Sequence, residues 1–264
     1  MTALDVLVFD IETIPDLAGG RRLHDAEGLS DDDVRQLMLA ERRQEAGTEF
    51  LRLHLHRVVA ISVLLKSRSG VKLWTLGEED SDERDLIQRF FDGIARYSPQ
   101  LVSWNGSGFD LPVLHYRALI HGIAAPRYWE TGDNDRDFKW NNYLSRYHQR
   151  HLDLMEVLAG YQARAYAGLD QIAQLLGLPG KLGMHGSEVD QAFRDGRIRE
   201  IRDYCETDVL NTYLVLLRFE LMRGNLDAAG LTAAEAEVRE MLASSGQAHL
   251  TEFLSVWGAA GATA

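Results

Sequence analysis

The sequence predicts an α/β fold in which five strands are interleaved with helices. Three observations predict it. Short runs of strand length and apolar character recur near residues 4–11, 57–66, 70–76, 100–104 and 151–154. Strongly periodic helical stretches occupy 81–97 and 197–223. The second and third strands are close enough to form a hairpin, which supplies the antiparallel member of a mixed sheet.

The first strand is an apolar run over residues 6–9 that ends in Asp10-Ile11-Glu12; Pro15, which cannot donate to a sheet ladder, is expected to stop it. Alternation along a strand places Asp10 and Glu12 on one side. Two acids there repel each other and are costly to desolvate unless positive charge sits between them. Closely spaced carboxylates suit Mg²⁺ or Mn²⁺. Asp-x-Glu is also a very common tripeptide, and alone it reads as a turn cap followed by a solvent-facing acid.

Residues 17–50 read as an insertion that either borders an active site or forms a surface helix without a chemical role. Gly19-Gly20-Arg21-Arg22 is loop-like, and Ser30-Asp31-Asp32-Asp33 starts a helix that runs to Gly47. His54 and His56 alternate as a metal pair would, but next to a strand start they are expected at the surface. The hairpin strands follow, turning over residues 66–70.

The helix at 81–97 carries Leu86, Ile87, Phe90, Phe91 and Ile94 on one face. A buried strand at 101–104 then leads through the turn Asn105-Gly106-Ser107-Gly108 into Phe109-Asp110-Leu111-Pro112, the opening of another helix. Asp110 therefore stands at a helix N-terminus beside the C-terminal end of a strand, the edge where open α/β sheets hold ligands. A plain N-cap has the same signature. Residues 122–142 are irregular; Trp129 and Trp140 there either stack on bases or anchor the loop. After the last strand come a helix at 168–176 and a Gly-rich connector at 178–186, expected to be flexible, which carries Lys181 and His185.

In the helix at 197–223, Tyr204 and Asp208 are four residues apart and share a face. Thr232 and Glu235 form a capping box opening a further helix, 247–257 forms another, and 258–264 is expected to be disordered.

A chain of 264 residues, 45% hydrophobic, can bury a sizeable core. No apolar run approaches the roughly 20 residues that span a bilayer, and no basic region precedes the first apolar segment, so no membrane association and a cytoplasmic location are expected. The single cysteine, Cys205, excludes an internal disulfide and reads as a buried bystander. A net charge of −12 argues against a broadly basic nucleic-acid surface, so any phosphate must be handled locally.

Taken together, FDIET at residue 9, NGSGFD at 105 and YCETD at 204 resemble the three exonuclease motifs of the DEDD superfamily in its tyrosine-bearing branch. HRVVAIS at 56, FDLPVL at 109 and HLDLMEVL at 151 extend the resemblance over residues 4–223. The chain is most similar in these motifs to the proofreading exonuclease domain of family-B DNA polymerases and to stand-alone 3′-5′ exonucleases like it.

The resemblance implies a ribonuclease H-like fold, a five-stranded mixed sheet flanked by helices. It implies an exonuclease domain over 1–228 with the insertion at 17–50, a helical extension over 229–257 and a tail. The implied activity is metal-dependent hydrolysis of phosphodiester bonds at the 3′ end of a single-stranded nucleic acid, DNA favoured over RNA, with replication or repair partners left open. Asp10, Glu12, Asp110 and Asp208 would hold two divalent ions, Mg²⁺ or Mn²⁺. Asp10 would bridge both ions, Glu12 and Asp208 would hold the water-activating one, and Asp110 the second. Tyr204 would orient the water, since a tyrosine titrating near 10 makes a poor base at neutral pH. Asn105, Phe109, Lys181, His185 and Arg57 are the expected substrate contacts. The alternatives are an inactive binding or scaffolding module of the same fold, and a phosphodiesterase acting on short oligonucleotides.

Overall fold

In the computed structural model, which describes residues 4–261, the apolar run at Val6 becomes the central strand of a five-stranded sheet. The strands are β1 (Val6–Pro15), β2 (His56–Ser67), β3 (Gly70–Thr75), β4 (Gln100–Ser103) and β5 (His151–Asp153), ordered β3-β2-β1-β4-β5. β2 is antiparallel to β1 and β3, and β1, β4 and β5 are parallel. The helices are α1 (Leu17–Leu23), α2 (Asp31–Ala46), α3 (Glu83–Tyr97), α4 (Asp110–His121), α5 (Leu154–Leu158), α6 (Leu169–Leu175), α7 (Val189–Arg194), α8 (Ile198–Met222), α9 (Ala228–Ser244) and α10 (Ala248–Gly261).

Alternation along β1 decides what each face meets. Leu7, Phe9 and Ile11 pack with Phe90 and Ile94 of α3 and Leu114 of α4. Val8 turns the other way, into a core with Leu210 and Leu214 of α8, Val238 of α9 and Phe253 of α10. Asp10 and Glu12, two and four residues beyond Val8, share its face and are thereby directed toward α8.

Several sequence expectations are corrected. The first strand ends at Pro15 as expected but extends beyond residue 11: β1 pairs with β2 as far as Pro15 opposite His56, after which Asp16 N donates to Leu55 O at 2.8 Å. The register slips between Glu12, which faces Ala60, and Thr13, which faces Val58, so that Val59 is a one-residue bulge in β2. Gly19-Gly20 lies in α1, capped by Asp16, whose Oδ1 accepts from Gly19 N at 3.1 Å. A Cβ at Gly20 would overlap the Met38 sulfur, so this glycine permits close helix packing. α9 begins at Ala228 under an Asp227 cap, which leaves Thr232 inside the helix with its hydroxyl bonded back to Ala228 O. The tail expected to be disordered continues α10 as far as Gly261, and 262–264 lie outside the described residues. His56 is buried, not superficial: its ring bonds Thr13 Oγ1 at 2.9 Å and Leu51 O at 3.2 Å.

One buried charge network ties the layers together. The Arg117 guanidinium of α4 donates through Nε and Nη2 to both carboxylate oxygens of Glu83 in α3 and through Nη1 to Asp16, just past β1. Glu83 Oε1 also accepts from Val58 N of β2 at 2.7 Å. Among the described residues no helix is long and apolar enough to cross a membrane.

Candidate active site

β4 pairs with β1 only as far as Val8, so the β4-side edge of β1 is open beside Asp10 and Glu12. The turn after β4 fills that gap. Asp153, at the end of β5, accepts from Asn105 N at 3.0 Å and Ser107 N at 2.9 Å. Asn105 sits in the left-handed region at φ 68°, a conformation that asparagine tolerates better than most residues. Its carbonyl accepts from Gly108 N and Phe109 N, and the chain enters α4 with Asp110 as its first residue. Asp110 does not act as a plain N-cap. Its Oδ1 reaches across and accepts from Ile11 N, between the two β1 acids, at 3.2 Å.

α8 closes the site from the opposite side with Tyr204 and Asp208 on one face. Glu12, Asp110, Tyr204 and Asp208 are all buried, and Asp10 is partly open to solvent. Cys205 is more than a bystander: its thiol donates to Asp10 O at 3.4 Å and lies 3.6 Å from Asp10 Oδ2.

Electrostatics make the four acids one unit. Burial, followed by repulsion from Asp110, Glu12 and Asp208, pushes the Asp10 carboxyl well above its usual range. Burial and then Asp208 do the same to Glu12, against a lowering pull from Lys181. Burial raises Asp110 to about 7. Asp208 is raised by burial to about 6, while the Lys181 charge and the Tyr204 hydroxyl draw it back down. Tyr204 itself is driven upward by burial and by Asp208, so its phenol stays protonated at neutral pH. Burial and the Asp10 charge likewise keep the Cys205 thiol protonated.

The donor set fits hard divalent cations. Asp208 Oδ1 is buried with no hydrogen-bond partner, a costly state for a carboxylate oxygen unless a cation meets it. Carboxyl oxygens of Asp10 and Glu12 also lie within 4.8 Å of each other. The protonated Cys205 sulfur beside them is too soft to favour Mg²⁺ and serves as a donor.

The connector that carries Lys181 is pinned, not flexible. Asn211 of α8, fully buried, accepts from Gly180 N at 3.1 Å and donates to Gly180 O at 2.8 Å. Lys181 N donates to Asp170 Oδ1 at 2.8 Å, and its Nζ donates to the Tyr204 hydroxyl at 2.7 Å. Asn211→Ala leaves both backbone groups of Gly180 unpaired, each costing about 1–3 kcal/mol. A fall in Tm with faster amide exchange over residues 178–183 is the expected outcome; calorimetry and exchange mass spectrometry check it.

A cavity of about 590 Å³ opens onto Glu12 and is lined by Phe109, Lys181, His185, Phe50 and His56. The structure thus brings Phe109, Lys181 and His185 to the acids, and Asn105 to the turn beneath them. Arg57 lies apart, opposite Ile14 on β2, exposed, with its guanidinium 5.8 Å from the centre of the Phe193 ring. Asp153 and Asn211 were missed by sequence reasoning. Asp153 stands inside HLDLMEVL, but its role as a clamp depends on β5 lying beside β4.

A family described as a predicted 3′-5′ exonuclease related to the exonuclease domain of PolB matches residues 48–257. Asp10 and Glu12 precede that range and join the site through the sheet. The catalytic subunit of DNA polymerase epsilon from Saccharomyces cerevisiae is 27% identical over 150 residues, 53% of this chain but 6% of that protein. DNA polymerase 1 of Sulfurisphaera ohwakuensis is 50% identical over 42 residues, 16% of this chain and 5% of that one. The family B DNA polymerase of Pyrobaculum calidifontis shares the fold, with a TM-score of 0.51 and 20% identity, over 90% of this chain and 28% of that structure. The chain therefore spans a small part of the polymerases it matches.

Proposed function

The chain belongs to the predicted 3′-5′ exonucleases related to the exonuclease domain of PolB, and on that premise we propose that it hydrolyses the 3′-terminal phosphodiester bond of single-stranded nucleic acid, DNA in preference to RNA. The observation that carries this reading is the buried, partnerless Asp208 Oδ1 among four carboxylates that repel one another. Asp10, Glu12, Asp110 and Asp208 would hold two divalent ions, Mg²⁺ or Mn²⁺. Such ions, when bound, activate water and neutralise the leaving 3′ oxygen.

The chain's own residues do the rest. Lys181 donates to the Tyr204 oxygen, and the phenol proton is retained, so Tyr204 positions a water rather than deprotonating it. Phe109, on the wall of the 590 Å³ cavity, offers a ring face to the terminal base or sugar. Lys181 and His185, on the same wall, supply local positive or hydrogen-bonding character in an acidic protein.

The test is a 5′-labelled deoxyoligonucleotide with a free 3′ hydroxyl, incubated with Mn²⁺. Progressive shortening from the 3′ end, stopped by EDTA, is expected; release that persists in EDTA, or cleavage of dinucleotides alone, rejects the reading. Tyr204→Phe keeps the ring and removes the hydroxyl. Single-turnover rates should fall about 10–100-fold, as for loss of a positioning group. The Mn²⁺-induced rise in Tm should persist, because no metal ligand is lost.

A further inference from the structure

Past the carboxylates, the end of β1 borders a second cavity of about 550 Å³, which meets the first at Ile14 and Pro15. Its walls carry Arg21, Arg35, Arg57, Arg117 and Arg194 against Asp16, Asp31 and Glu83. That balance inverts the chain's own, in which 40 acids face 28 lysines and arginines. Arg117 is consumed by Asp16 and Glu83. The other four arginines come from α1, α2, β2 and α7, so no single helical or strand repeat brings them together.

Three of them are incompletely matched. Arg57 is exposed and makes no ion pair among the described residues. Arg194 donates through Nη2 to the neutral Gln191 side chain, and its ion pairs with Asp190 and Asp32 are long, at 3.6 and 3.9 Å. Arg35 is 7% exposed; its Nη1 donates to Asp32 Oδ1 at 2.8 Å, but its Nε has no hydrogen-bond partner although Asp190 Oδ2 is 3.0 Å away. Guanidinium forks with spare donors suit phosphate oxygens.

We propose that this groove binds the sugar-phosphate backbone of a single strand whose 3′ end lies at the carboxylates, with Arg57 and Arg194 contacting phosphates and Arg21 and Arg35 building the wall. The inference rests on the exonuclease reading. It explains how a chain of net charge −12 holds a polyanion: arginines are gathered in one groove, roughly 10 Å beyond Glu12 along β1.

The experiment is fluorescence anisotropy of a labelled 12-mer oligodeoxythymidylate, with a 3′-terminal phosphorothioate to slow hydrolysis, in Ca²⁺ across a KCl series. Parent protein, Arg57→Gln, Arg194→Gln, the double variant and Arg89→Gln on the far side of α3 are compared. Each single groove variant should bind more weakly and lower the slope of log K against log salt by about 0.7, and the double variant by about 1.4; Arg89→Gln should match the parent. Slopes for Arg57→Gln and Arg194→Gln that coincide with Arg89→Gln, while the parent still shortens oligonucleotides in Mn²⁺, overturn the groove alone. No binding and no nucleotide release by the parent overturn both readings.

Discussion

Asp10→Asn is expected to raise the Tm of the metal-free protein while removing its nuclease activity. Asp10 is pushed upward by burial and by three neighbouring carboxylates, so neutralising it relieves repulsion that the apo site otherwise carries. A gain of about 1–2 kcal/mol corresponds to about 2–8 °C for a chain of this size. The same change deletes a proposed ion ligand, so nucleotide release in Mn²⁺ should fall at least about a hundredfold and the Mn²⁺-induced rise in Tm should shrink. The sign depends on pH. Raised carboxyl values mean that the folded, metal-free protein binds more protons than the unfolded chain as pH falls from about 7 toward 4, so acid relieves the parent and the advantage of the variant narrows. Scanning calorimetry in EDTA at pH 5 and 8 reads this directly, and a variant less stable than the parent at pH 8 contradicts the repulsive cluster.

Arg117→Met has the larger effect on stability. Arg117, Glu83 and Asp16 are buried, and truncating the guanidinium takes the arginine charge from two interior carboxylates, leaving Glu83 with His121 and Val58 N and Asp16 with Gly19 N. Breaking a buried pair in this way costs about 3–5 kcal/mol, a fall in Tm of about 6–20 °C. Glu83→Gln in the same chain should recover part of the loss, since an amide tolerates burial better than an unpaired charge. Equal Tm values for parent and Arg117→Met would mean that the network contributes nothing to holding α3 and α4 on β1.

The strands and long helices were legible because each repeats its apolar positions at a period of its own, as in the α3 face of Leu86, Ile87, Phe90, Phe91 and Ile94. α1 was not legible. Gly19-Gly20 suits a loop by propensity, and only the nearby Met38 side chain shows why small residues are needed there. α5 and α7 are five and six residues long, too short for a period to emerge. The paired acids of β1 and the Tyr204/Asp208 pair could be read from spacing alone. Their convergence, the Asp110 bond to Ile11 N, and the anchoring by Asp153 and Asn211 depend on which strands lie side by side, which no local pattern encodes.

The bulge at Val59 has a directional effect. Side chains of β2 alternate, so one surplus residue reverses the phase of everything before it: Val58 joins the α3 and α4 core, and Arg57 emerges over Phe193 of α7. Were Val59 instead paired with Thr13 in an unbroken ladder, Arg57 would fall opposite Pro15 and its guanidinium would swing to the opposite side of the sheet. A single bulged amino acid thus works as a polarity selector, aiming a cation without altering the residue that bears it.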